Sequence, residues 1–196
     1  MRYFTTSLHF LVKCLVYHDV DLLFEITDVT PEVEYVLNFD SPAYVCLDES
    51  SSVYVDTSGM DMITYNETTS CMTGAIKFLQ GLDENVMIEA IVEKEVSGQF
   101  EMMATHIICD LCEELHPDSN YYKYLQYFGF PATCPFDAGE YSVHDFVINT
   151  DDLPVNSANA ARYQVTVNFY NNPDCSSKDV MQFLFCLKLD FIIEPK

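Results

Sequence analysis

The chain has 196 residues, enough for one well-cored domain, and 49% of them are hydrophobic, which argues against wholesale disorder. Its 9 Lys and Arg against 31 Asp and Glu leave a net charge of −22. A surface that negative repels phosphate backbones and anionic headgroups, which argues against nucleic-acid binding and electrostatic membrane docking.

The first twenty residues, "MRYFTTSLHFLVKCLVYHDV", begin with a base and carry a modest apolar stretch over 8–17 that Lys13 interrupts. No small-residue cleavage site follows, so residues 1–30 read either as a secretory leader or as an N-terminal extension. No apolar run reaches the ~20 residues that cross a bilayer, and no membrane span is expected.

From Val33 onward the text reads as strands. "VEYVLNF" (33–39), "SSVYVDTSG" (51–59) and "CMTGAIKFLQG" (71–81) are the first three. In "NVMIEAIVEKE" (85–95), Val86, Ile88, Ala90 and Val92 share one face, with Glu89 and Glu93 on the other. "SGQFEMMATHII" (97–108) puts Phe100, Met102 and Ala104 on one face and pairs with it as a hairpin through a turn containing Gly98. Between 110 and 128 the period turns helical, broken near Pro117, and "GFPATCPF" (129–136) is loop. Strands resume in "EYSVHDFVI" (140–148), "RYQVTVNFY" (162–170) and "MQFLFCLKLDFII" (181–193). Tyr163, Val165, Val167 and Phe169 form one face of the second; Phe183, Phe185, Leu187, Leu189 and Phe191 form one face of the third. Short strands at hairpin spacing with one helical interruption predict an all-β, antiparallel sandwich, one domain over 31–196.

Three chemistries compete for the cysteines. His106, Cys109, Cys112 and Cys134 offer a zinc set, but the second closely spaced ligand pair of a zinc module is missing. A redox C-x-x-C belongs after a βαβ strand, and no such alternation exists. Eight cysteines, at 14, 46, 71, 109, 112, 134, 175 and 186, are an even number spread through the chain, as in an oxidised extracellular domain. The sequon "NET" at Asn66 agrees with secretion. Catalytic motifs are missing: no G-x-S-x-G, no phosphate-cradling glycine loop and no H-E-x-x-H, with only 6 glycines in all. Neither an enzyme nor a resident metal or cofactor is expected.

The order of residues 99–170 adds a resemblance. "FEMMATHIICDLCEEL", then Cys134–Pro135, the aromatic strand Gly139–Phe146, the step Asp152–Leu153–Pro154 and the strand from Arg162 to Tyr170 are similar to the insect branch of the ML family of lipid-recognition sandwiches. The resemblance implies an immunoglobulin-like sandwich that holds a lipid between its sheets. It implies a bridge from Cys109 or Cys112 to Cys134, and a link from Cys46 to a C-terminal cysteine such as Cys186; Cys71 and Cys175 are further disulfide candidates. The wall candidates are Val86, Ile88, Phe100, Met102, Phe128, Phe130, Phe136, Phe146, Val165, Val167 and Phe169. A secreted, monomeric carrier of a fatty acid, sterol or glycolipid follows as the expectation, with neutral or weakly acidic lipids favoured over anionic ones. The alternative is an extracellular recognition protein with a filled core that binds a carbohydrate or a protein receptor.

Overall fold

The computed structural model describes residues 33–48, 50–66, 69–119, 121–148, 155–172, 175 and 181–196. The leader or extension at 1–30, Cys14, the step Asp152–Leu153–Pro154 and two residues of the sequon lie outside them. Among the described residues ten strands pair antiparallel in two sheets. In the larger sheet, β1 (Tyr35–Phe39) and the short β2 (Tyr44–Val45) lie along one edge of β10 (Gln182–Pro195). Then come β9 (Ala161–Asn171), β6 (Val86–Val96) and, at the far edge, β7 (Gln99–Ile108). In the smaller sheet, β5 (Ser70–Phe78) is flanked by β3 (Val55–Asp56) and β4 (Met60–Thr64) on one side and β8 (Gly139–Phe146) on the other. This is the all-β sandwich that the alternation predicts. Among the described residues no helix is long and apolar enough to cross a membrane.

The hairpin β6–β7 turns through Ser97 and Gly98, whose φ values of 54° and 82° are those of a two-residue primed turn. Two bulges then decide which side chains face inward. Val92 pairs with Ala104 but Glu93 with Met102, so Met103 is an extra residue in β7. Each bulge exchanges the faces of the residues beyond it. Met102 and Phe100 therefore leave the face of Ala104 and stand opposite Glu93 and Glu95, on the outside. In β10, Phe183 pairs with Tyr170 and Phe185 with Phe169, so Leu184 is extra and Phe183 leaves the face that Phe185 keeps.

Residues 51–54 form a helical turn rather than the start of a strand. Asp48 imposes it: one carboxylate oxygen accepts from the Ser51 N–H at 2.7 Å and the other from the Ser51 hydroxyl at 2.6 Å. The same hydroxyl oxygen accepts from the Cys186 N–H at 2.8 Å, fixing the turn against β10.

Among the described residues three disulfides close the fold: Cys46–Cys186, Cys109–Cys175 and Cys112–Cys134. The link of Cys46 to Cys186 is the one the resemblance implies. Of the two candidates for Cys134, Cys112 takes it, and Cys109 pairs with Cys175. Cys71 departs from its expected pairing; it is a free thiol, fully buried in β5. The three cysteines of the candidate zinc set are thus all engaged as disulfides.

Candidate functional site

The two sheets touch along aromatic seams and part between them. Phe78 of β5 meets Phe185 of β10 with ring centroids 5.9 Å apart, and Phe39 of β1 meets Phe146 of β8 at 5.5 Å. Between those seams lie Val165 and Val167 of β9 and Leu187 and Leu189 of β10. They are central, inward-facing residues, yet only half-buried. A close-packed sandwich would bury them completely. They are accessible because they border a cavity of about 250 Å³ that opens toward the surface.

Strict alternation supplies the large-sheet wall. Ile88, Ala90 and Val92 on β6 stand beside Val165, Val167 and Phe169 on β9, with Leu187, Leu189 and Phe191 on β10 beyond. Ile76 and Phe78 of β5 and Phe146 at the end of β8 face them from the small sheet, with Phe136 alongside. Every lining side chain is aliphatic or aromatic.

A further wall, the lid, is the helical stretch after β7. Asp110 caps its first turn, Leu111–Glu114, by accepting from the Cys112 and Glu113 N–H groups at 2.8 and 3.3 Å. A second turn, Tyr122–Leu125, runs into a 3₁₀ turn, Gln126–Phe128, which Gly129 ends with φ of 61°. A Cβ at Gly129 would lie 2.8 Å from the carbonyl oxygen of Ser142 on β8, so the lid passes that strand at a distance only glycine allows. The segment lays Leu111, Tyr121, Tyr124, Leu125, Phe128 and Phe130 over the cavity. Cys112–Cys134 closes the stretch into a loop, and Cys109–Cys175 ties down the chain just before it. On the β7 side, the Tyr121 hydroxyl hydrogen-bonds Nε2 of His106. Burial lowers the His106 pKa from its ordinary 6.5, against the opposing pull of Glu114.

Of the expected wall, Ile88, Phe128, Phe130, Phe136, Phe146, Val165, Val167 and Phe169 line the cavity. Val86 does not: it is buried, 1% exposed, in the core and does not line the cavity. Phe100 and Met102 are 39% and 69% exposed, turned outward by the bulge at Met103. The β1, β5 and β10 contributions and Leu111 of the lid were missed. For β10 the signal was present, in the face of Leu187, Leu189 and Phe191. Asn66 is exposed at the turn between β4 and β5.

Set against known proteins, the sequence matches no family model and no curated protein.

Proposed function

We propose that the chain is a secreted, non-enzymatic carrier or recognition protein that holds a hydrophobic ligand between its sheets. The single observation behind this reading is the cavity, wholly apolar and opened between splayed sheets rather than filled. Its 250 Å³ exceeds the ~150 Å³ of an engineered apolar cavity that takes up benzene. Such a space stays dry, and transfer of a chain from water into it is worth ~0.8 kcal/mol per methylene, less the cost of immobilising the ligand. The resemblance to the ML sandwiches read from the sequence of residues 99–170 points the same way. Three disulfides fit an oxidising compartment and so support secretion.

The test is native mass spectrometry of protein from its natural source, with uptake of an uncharged fluorescent lipid by the purified chain. Co-purifying lipid and uptake of one probe per chain are the expected results. Failure of both would return the chain to a recognition protein acting through its surface loops.

A further inference from the structure

A second space adjoins the first. A groove of about 270 Å³ lies among Val36 and Leu37 of β1, Tyr65, Asn66 and Thr69 of the β4–β5 turn, and Val147 and Ile148 just after β8. Leu37 and Ile148 line both spaces, so the groove and the apolar cavity meet across these two side chains. The groove differs from the cavity in chemistry: two hydroxyls and an amide stand among its aliphatic side chains.

The turn that carries them is built, not incidental. The Tyr65 and Asn66 N–H groups both donate to the Thr69 carbonyl oxygen, at 2.9 and 3.1 Å. Asn38 of β1 accepts the N–H of Ser70, the next residue, at 3.1 Å, which anchors the turn to the neighbouring sheet. Tyr65 is 57% exposed.

We infer that this groove seats the polar head of an amphipathic ligand whose apolar part fills the cavity, and that the head is neutral and hydroxyl-bearing. The inference rests on the carrier reading above. A polar head inside the cavity would lose its water and find no partner there, a cost that places it outside. A carboxylate or phosphate head would need a cation, and among the described residues no Lys, Arg or His lines the groove. The chain's charge of −22 adds a repulsive field to that lack. Hydroxyls such as those of Tyr65 and Thr69 suit a head that both donates and accepts hydrogen bonds.

The experiment displaces an uncharged fluorescent probe from the full chain with three ligands of equal chain length: monoolein, oleate at about pH 8, where its carboxyl is ionised, and octadecene. The expected order is monoolein about tenfold tighter than oleate, the effect of lost hydrogen bonding together with charge repulsion. The double variant Tyr65→Phe/Thr69→Val, which leaves Asn66 and its sequon intact, is expected to erase the advantage of monoolein over octadecene while octadecene itself shifts less than about twofold. Equal binding of monoolein and oleate, or an advantage that survives the double variant, overturns the head site but leaves the carrier standing. Failure of probe, octadecene and monoolein alike to bind overturns the carrier and this inference with it.

Discussion

The Tyr121 hydroxyl and Nε2 of His106 are hydrogen-bonded across the join between the lid and the edge strand β7. Glu114, on the lid's first turn, is the charged group that opposes the effect of burial on this histidine. Because burial lowers the His106 pKa below 6.5, the unfolded chain takes up the proton first as pH falls. The stability tied to the neutral ring is present above pH 6.5 and is lost as pH drops through the lowered folded value. Thermal unfolding followed from pH 6.5 downward should show the wild-type Tm falling, and His106→Gln should flatten that part of the curve. An unchanged slope in the variant would remove the histidine from the account.

Gly129→Ala should destabilise the fold by more than ~1 kcal/mol, because it adds a Cβ in the left-handed region against the Ser142 carbonyl. Gly139→Ala is the control, since nothing lies within 4 Å of a Cβ there, and its effect should stay within about 0.5 kcal/mol. Denaturant unfolding of the two variants makes the comparison; equal losses would mean that the lid does not pass β8 at this glycine.

Removing the Cys112–Cys134 bridge with paired serines should cost about 2–4 kcal/mol and speed release of bound ligand, because the bridge closes the lid segment. In the wild-type chain, peptide mapping after alkylation should find Cys71 unmodified until the protein unfolds. It is fully buried, and its thiol pKa is raised by that burial and by the nearby Asp145 carboxylate. Rapid labelling of native Cys71 would contradict its place in the core.

The parts of the fold legible from sequence were those governed by a strict period of two. Tyr163, Val165, Val167 and Phe169 alternate without interruption, and all four face inward. The same rule misassigned Phe100, Met102 and Phe183, because one inserted residue per bulge, Met103 or Leu184, exchanges the faces on either side. Nothing in the local residue types marks either insertion. The helical turn at Ser51 escaped for a related reason: its β-like composition was overruled by two hydrogen bonds to Asp48. Within the lid, the change of period near residue 110 was visible, and Phe128 lay on it. The angle that also turns Leu111, Tyr121, Tyr124 and Leu125 over the cavity depends on the Cys112–Cys134 bridge and on Gly129, which a helical period does not encode. Cysteine pairing is three-dimensional in the same sense, and no spacing distinguished Cys71 from its bridged neighbours.

The central claim is that the space between the sheets is a ligand site, and Val167 tests it most directly. It faces the cavity from the middle of β9 and is only half-buried, so a larger side chain there fills space instead of forcing the core apart. Titration with an uncharged fluorescent lipid should give one site per chain in the wild type. Val167→Trp should lose that uptake by more than about tenfold while remaining folded, since the indole occupies the ligand's volume. Phe100→Ser/Met102→Ser, on the outer face, should bind as the wild type does. Uptake undiminished by Val167→Trp, or none in the wild type, would contradict the account.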